Sequence, residues 1–114
     1  MKYSEGLKKN ADFQAVYKNG VQAANRYLVL YVKENNLGIN RVGISVSKKI
    51  GNSIVRHRVK RLVKEAYRLQ EEYFQKGYDL VFIGRGRSKE STYFDIEGAV
   101  CQLALKMGVM RQEQ

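Results

Sequence analysis

An apolar repeat between residues 55 and 73 constrains the fold of this chain more than any other feature of its sequence. Apolar side chains recur there at intervals of four, three, four, three and four residues, at Val55, Val59, Leu62, Ala66, Leu69 and Tyr73. This spacing places them on one face of an α-helix, which has to be buried against another element. Asn52 or Ser53 can cap the first turn, and Gly77 follows the repeat. The sequence therefore predicts a long amphipathic helix.

The opposite face of this predicted helix is densely basic, and Glu65 is the one acidic residue among its cations. We call this surface the basic face; it comprises Arg56, His57, Arg58, Lys60, Arg61, Lys64 and Arg68. A rigid helix fixes the spacing of these groups, so their entropy is lost on folding and not again at each phosphate contact. Lys48 and Lys49 extend the positive surface toward the helix N-terminus. Phosphate binding is therefore predicted, and a merely solvated face is the alternative.

Two strands are predicted before this helix. Residues 26–33 alternate between two apolar faces, so that Tyr27, Val29 and Tyr31 point one way. Residues 41–47 place Val42, Ile44 and Val46 on one face and three small residues, Gly43, Ser45 and Ser47, on the other. The turn residues in the connection "ENNLGIN" predict a hairpin of these two strands.

A groove follows from this predicted hairpin. If the face with small residues adjoins the face with aromatic residues, the sheet has aromatic walls and a low floor. The groove would be lined by Tyr27, Tyr31, Ser45 and Ser47.

The remaining elements give the order α, β, β, α, β, α. A short helix is predicted at residues 10–18, with Phe13, Val16 and Tyr17 on one face, a buried strand at "YDLVFIG", and a last amphipathic helix from Tyr93 to Met107. A third strand that follows a helix favours a mixed sheet with helices packed on it, an α+β fold. With 114 residues, a single domain spanning 1–114 is expected.

The net charge of +10 makes nucleic acid the first candidate partner. The sequence has no apolar run of about 20 residues that could span a membrane and no basic-then-apolar signal segment. A soluble cytoplasmic protein without a membrane partner is expected.

The sequence offers no catalytic or metal-binding cluster of its own. The acidic residues are scattered, and the single His and single Cys lack the spacing of zinc ligands. His57 lies among cations, a setting that disfavours a catalytic role, and Cys101 has the apolar neighbours of a packed side chain. The segment "GRGR" lacks the Lys-Ser/Thr of a phosphate-binding loop. We therefore predict no catalytic residue and no cofactor or metal bound by the protein alone.

The segment "SVSKKIGNSIVRHRVKRLVKEAYR", residues 45–68, resembles the protein subunit of bacterial ribonuclease P. That family combines Lys-Lys-x-Gly-Asn with Arg-Asn-Arg-x-Lys-Arg and a further basic residue. The matching positions are Lys48, Lys49, Gly51, Asn52, Arg56, Arg58, Lys60, Arg61 and Lys64. His57 stands where the family has Asn, and its imidazole has different donor geometry from an amide. The upstream segment "LKKNADFQAVYKNGVQAANRYLVLYV" is also similar, so the resemblance covers nearly the whole chain.

The resemblance implies a fold similar to the second domain of ribosomal protein S5, with a left-handed βαβ crossover through the central helix. It implies that this helix faces the catalytic RNA subunit and that a cleft between the first helix and the sheet binds the 5′ leader of precursor tRNA. Phe13, Tyr17 and Tyr31 match the aromatic residues of that cleft. Endonucleolytic removal of the leader would be carried out by the RNA with its Mg²⁺ ions, and no protein partner is implied.

Two other classes remain as alternatives. One is a ribosome-associated or general binder of structured RNA without a role in an enzyme. The other is a DNA-binding regulator, which is disfavoured because the exposed row of the helix lacks Asn and Gln to read bases. Core packing is the alternative for Phe13 and Tyr17.

Overall fold

The structure is a computed structural model that describes residues 2–111. These residues form five strands and three helices, in the order β1 Ser4–Gly6, α1 Asn10–Asn19, β2 Val21–Ala24, β3 Leu28–Glu34, β4 Asn40–Ser45, α2 Ser53–Gln70, β5 Tyr78–Gly84 and α3 Tyr93–Lys106. Short 3₁₀ turns follow α2 and β5, at Glu71–Tyr73 and Gly86–Glu90. The predicted single domain extended over 1–114, of which residue 1 and residues 112–114 lie outside the described part.

The strands form one mixed sheet in the order β1-β4-β5-β3-β2. β4 is parallel to both β1 and β5, whereas β3 is antiparallel to both β5 and β2. α2 connects the adjacent parallel strands β4 and β5, as in a βαβ unit. The α+β fold class predicted from the sequence is confirmed.

The predicted hairpin of residues 26–33 with residues 41–47 is wrong, because β5 lies between β3 and β4. Phe82 of β5 is the register partner of Leu30 on one side and of Ile44 on the other. β5 is the most continuously apolar strand, and five of its seven residues are buried. The central position buries both faces and both edges of a strand, so the most apolar strand occupies it. The sequence pattern does not indicate β1 and β2, which have three and four residues and no clear alternation.

The main core lies between one face of the sheet and the pair α2 and α3. Strand residues such as Leu30, Leu80 and Phe82 pack there against Val63 of α2 and Val100 of α3. Half-buried Cys101 also packs against this core, as its apolar neighbours predicted.

The buried stripe of α2 differs in part from the predicted one. Its fully buried residues are Val59, Val63, Ala66 and Tyr67. Leu69, predicted to face the core, is 48% exposed. Tyr67 is buried instead, and its hydroxyl has partners within the fold, at 2.7 Å from Ser4 Oγ and 3.3 Å from Asn40 Nδ2. A buried tyrosine requires such partners, which a sequence pattern does not show.

The other face of the sheet is covered in part by the short helix α1. A small cluster forms there around Leu7, Val16 and Val81, with Phe13, Tyr17, Tyr31 and Ile83 packed against it in half-buried positions. α1 ends at Gly20, where a Cβ atom would lie 2.8 Å from the carbonyl oxygen of Val32, so helix and sheet meet closely at that point. Three of the predicted leader-binding residues, Phe13, Tyr17 and Tyr31, lie together on this face.

Candidate nucleic-acid interface

The turn between β4 and α2 positions the first basic residues. β4 ends at Ser45, and the N–H groups of Lys49 and Ile50 donate to the side chain and the carbonyl of Ser47, at 3.3 and 3.1 Å. Lys48 and Lys49 are exposed on this turn. Ser47, predicted to lie in the groove, is therefore part of the turn and not of the strand.

Asn52 caps the N-terminus of α2, which confirms one of its two predicted roles. Its side-chain oxygen accepts a hydrogen bond of 3.0 Å from the N–H of Val55. The first turn of α2 contains no acidic residue, so nothing on the helix itself neutralises the partial positive charge of its N-terminus. An RNA contact of Asn52, also predicted, would have to share this side chain with the cap.

The basic face divides into exposed and half-buried members. His57, Lys60, Arg61, Lys64 and Arg68 are exposed, whereas Arg56 and Arg58 are half-buried. Nη2 of Arg58 donates a 2.7 Å hydrogen bond to the carbonyl of Ser91, which anchors α2 to the segment before α3. Nε of Arg56 is buried with no hydrogen-bond partner among residues 2–111.

Salt bridges neutralise little of the positive charge of the basic face. Arg68 pairs with Glu65, which lowers the pKa of the Glu65 carboxyl and raises the pKa of the Arg68 guanidinium. The other ion pairs within the described part of the chain belong to Arg41. Lys60, Arg61 and Lys64 therefore project their charge from a rigid helix without an acidic partner in an ion pair, an arrangement suited to phosphates.

Three predicted aromatic residues and one serine come together on the α1 side of the sheet, and we call this set, Phe13, Tyr17, Tyr31 and Ser45, the aromatic cleft. The ring of Tyr17 lies edge-on to that of Tyr31 at 5.1 Å and 6.3 Å from that of Phe13. Burial raises the pKa of Tyr17, and a hydrogen bond with Ser45 partly opposes this shift. All three residues are half-buried, so part of each remains accessible to solvent.

Tyr27 was predicted to line the same groove, and this prediction is wrong. Its ring packs against the main core on the opposite face, beside Phe94 and Gln102 of α3. The cause is a turn at Asn25, whose side-chain oxygen accepts hydrogen bonds from the N–H groups of Tyr27 and Leu28, at 3.2 and 3.0 Å. β3 begins only at Leu28, so the alternation cannot be extended back to Tyr27.

A buried ion pair that the sequence analysis missed positions α1. Arg41 of β4 donates two hydrogen bonds to Asp79 of β5, at 2.8 and 2.7 Å, and lies 3.5 Å from Asp12 of α1. Asn35 donates a further bond of 3.0 Å to Asp79, which is 2% exposed. Burial acts to raise the pKa of Asp79, but the bonds from Arg41 and Asn35 outweigh it and leave that pKa below its usual value. Arg41 and Asp79 are 38 residues apart, so no local pattern indicates the pair.

The basic face and the aromatic cleft meet at a cavity of about 390 Å³ beside the edge of β4. Its lining includes Phe13 and Gly43 on one side and Lys60, Arg61 and Lys64 on the other. An ideal Cβ on Gly43 would lie 2.6 Å from two ring carbons of Phe13, so this glycine lets the ring rest on the sheet. Two surfaces that the sequence predicted separately are therefore continuous.

Groups suited to holding a metal ion are missing from the described residues, which contain no cluster of three or more His, Cys, Asp or Glu side chains. Across residues 2–111, none of the helices has the length and apolar character needed to cross a membrane.

Comparison with known proteins identifies close similarities over nearly the whole chain. The family model described as Ribonuclease P matches residues 1–108. The ribonuclease P protein component of Alkaliphilus metalliredigens is 52% identical over 107 residues, which cover 94% of this chain and 96% of that protein.

Two solved structures from Staphylococcus aureus share the fold. The RNase P protein at 2.0 Å is 34% identical, with a TM-score of 0.86, and the alignment covers 93% of this chain and 97% of that one. A second structure, described as a mutant of that protein with defective mRNA degradation activity, is 35% identical with the same TM-score and covers 92% and 89% of the two chains.

Proposed function

The chain belongs to the ribonuclease P protein family, and we propose that it binds two RNAs, the catalytic RNA subunit through its basic face and the 5′ leader of precursor tRNA through its aromatic cleft. Its role in this proposal is to assist the removal of the leader that gives the mature 5′ end of the tRNA. The observation that carries the proposal is the continuity of unpaired cations on α2 with half-buried aromatic rings on the sheet.

The contact with the catalytic RNA rests on the exposed cations. Lys48 and Lys49 lie at the N-terminus of α2, and the exposed residues of the basic face continue along the helix. Fixed, unpaired cations bind phosphates and release counterions, which makes the affinity strongly dependent on salt. A long structured RNA offers many phosphates at once, so it matches this surface better than a small anion does.

The contact with the leader rests on the shape of the aromatic cleft. Single-stranded RNA is recognised by stacking its bases on aromatic side chains, because its bases are not paired with a second strand. Phe13, Tyr17 and Tyr31 offer such surfaces, and Gly43 and Ser45 leave a low floor beside them. An extended strand fits this cleft better than a double helix does.

In this proposal the RNA subunit and its Mg²⁺ ions carry out the hydrolysis. The protein contributes binding and charge neutralisation, which would support the folded RNA and its metal ions. Its described residues include no cluster of metal ligands, and none is assigned a catalytic role. The protein acts in the cytoplasm, without a membrane or protein partner of its own.

A general binder of structured RNA is the rival, and reconstitution separates the two. The full chain is mixed with the catalytic RNA of the same organism, and cleavage of precursor tRNA is measured at low Mg²⁺. We expect the protein to restore cleavage at the mature 5′ end, whereas a general RNA binder would leave the rate unchanged. The RNA that co-purifies with the protein gives a second measure: one long structured species supports the proposal, and ribosomal RNA supports the rival.

The protein without RNA is tested in the same assay. We expect it to leave precursor tRNA intact, and cleavage by rigorously RNA-free protein would overturn the assignment of catalysis to the RNA. An mRNA is included as a second substrate, because the S. aureus relative is described in terms of an mRNA degradation activity.

A further inference from the structure

We propose that Asp12 is a positioning residue for the substrate: its ion pair with Arg41 holds the first turn of α1, and with it the ring of Phe13, at a fixed place on the sheet. The inference rests on the proposed function and deepens it. It assigns to Asp12 no contact with RNA, because a carboxylate repels phosphates. Asp12 instead acts on the leader through Phe13, the residue that follows it.

The first turn of α1 has few attachments to the rest of the protein. α1 has ten residues, of which Val16 alone is fully buried. A helix of this length is marginal by itself, so contacts with the sheet have to hold it. In its first turn Asn10 and Ala11 are exposed, whereas Asp12 and Phe13 are half-buried. These two residues therefore hold the turn against the sheet.

Arg41 is a rigid partner for Asp12. Nε and Nη2 of Arg41 donate hydrogen bonds of 2.8 and 2.7 Å to the two carboxylate oxygens of Asp79, which is 2% exposed. Two parallel bonds fix the plane of the guanidinium group. The remaining nitrogen, Nη1, lies 3.5 Å from Oδ2 of Asp12. A buried residue of the central strand thereby determines where the carboxylate of Asp12 lies.

The aromatic rings are sensitive to the place of this turn. An ideal Cβ on Gly43 would lie 2.6 Å from two ring carbons of Phe13, so the ring and β4 are in close contact. Phe13 and Tyr17 belong to α1, whereas Tyr31 belongs to the sheet. A displacement of the helix therefore changes the spacing of the rings on which leader bases would stack.

The sign of the effect separates positioning from charge. Neutralising a carboxylate near RNA should by itself strengthen binding, most of all at low salt. Losing a positioning contact should weaken binding. Glu5 of β1 provides a matched control, because it is exposed and is the register partner of Arg41. Hydrogen bonds to Asp79 raise the pKa of Arg41, and the charges of Asp12 and Glu5 both add to this shift.

The test compares four proteins in the reconstituted holoenzyme. The full chain is used unchanged, with Asp12→Asn, with Asp12→Glu or with Glu5→Gln. Dissociation constants are measured for precursor tRNA with a leader and for mature tRNA, at low and at high salt. Amide hydrogen exchange of each protein without RNA reports on α1 directly.

We expect Asp12→Asn to weaken binding of the precursor about two- to fivefold, the range that one partly exposed ion pair supplies, and to leave binding of mature tRNA unchanged. Asp12→Glu should restore most of the affinity, because its carboxylate can still reach Arg41. Glu5→Gln should not weaken binding. In the Asp12→Asn protein the N–H of Phe13, which bonds to the carbonyl of Lys9, should exchange faster, while exchange in β5 stays unchanged.

A further variant tests whether Asp12 acts through Arg41. Arg41→Lys keeps the positive charge, but its single nitrogen lacks the planar fork that holds Asp79 with two bonds and reaches Asp12 with a third nitrogen. In the Arg41→Lys protein, Asp12→Asn should therefore have no further effect on binding of the precursor. An undiminished loss there would mean that Asp12 acts only on the dipole of α1, and it would overturn the assignment.

The assignment is also overturned if Asp12→Asn leaves binding of the precursor unchanged or strengthens it, if it weakens binding of both RNAs equally, or if exchange in α1 stays the same. Failure of the proposed function itself is recognised differently. In that case the unchanged protein does not restore cleavage of precursor tRNA by the catalytic RNA.

Discussion

The two faces of the sheet differ in how they are covered and in what they contribute to this small protein. One face is covered by α2 and α3 and contains most of the buried apolar residues. The other is covered in part by the ten residues of α1, and its aromatic rings are half-buried. Burial of apolar area is the main source of stability, so the covered face stabilises the fold and the other face can keep open surface for binding.

The charged groups sharpen this difference. On the α1 side, Arg41 bonds to Asp79 within the sheet and forms an ion pair of 3.5 Å with Asp12 of α1, whereas the covered face relies on apolar packing. Hydrogen bonds and ion pairs fix the positions of these residues while burying little surface area. The neighbouring aromatic side chains therefore stay accessible. Substitutions on each side of the sheet test this difference.

The covered face should be the least tolerant of truncation. Phe82 is fully buried in the main core, so Phe82→Ala should lower the free energy of unfolding by about 3–5 kcal/mol. Chemical denaturation of the protein alone measures this value. A loss below about 1 kcal/mol would mean that the covered face does not stabilise the fold as its burial indicates.

Loss of the ion pair between Arg41 and Asp79 should have the second largest effect on stability. Asp79→Asn removes the charge that Arg41 faces and should cost about 3 kcal/mol at pH 7. The pKa of Asp79 is lowered in the folded state, so its contribution is present above its unfolded value of about 4 and is lost as the pH falls further. Unfolding measured from pH 7 to pH 3 should therefore show the difference between the two proteins becoming smaller below about pH 4. A constant difference would show that the carboxylate charge is not the cause.

The aromatic cleft should affect binding more than folding. Ala substitution of Phe13, Tyr17 or Tyr31 should cost about 1–3 kcal/mol in binding a single-stranded leader. Each variant is measured in the holoenzyme with precursor and with mature tRNA, and its thermal midpoint is measured alone. A midpoint shift as large as that of Phe82→Ala, or an equal loss for both RNAs, would assign these rings to packing.

Substitutions in the turn before α2 should leave the packing on both faces of the sheet unchanged. They should affect only the salt dependence of binding to the catalytic RNA. Lys48 and Lys49 are exposed and lie outside both cores. Replacing both by Ala should make the slope of log affinity for the catalytic RNA against log salt less steep, by about 0.7–0.9 for each lost phosphate contact. The thermal midpoint should be unchanged. Arg58→Ala provides the contrast, because it removes the 2.7 Å bond to Ser91 and should cost about 1 kcal/mol of stability. An unchanged slope in the double variant would remove both lysines from the interface.

The elements that depend on local spacing could be predicted from the sequence. Side chains close together along the chain specify four features. These are the cap at Asn52, the buried strand at 78–84, the helix from Tyr93 and the array of cations on α2. The fold class followed from their order. These features are set by short-range geometry, which a sequence pattern contains directly.

Strand pairing and the lining of the cleft depend on contacts between distant parts of the chain. Backbone ladders are chemically alike, and the turn residues between β3 and β4 favoured a direct hairpin, so the local pattern did not show that β5 separates them. Tyr27 lies on the other side of the sheet because one side chain, Asn25, ends the alternation. The Arg41–Asp79 pair and the meeting of Phe13 with the cations of α2 join residues more than 35 positions apart, and such contacts are fixed by the packing of whole elements.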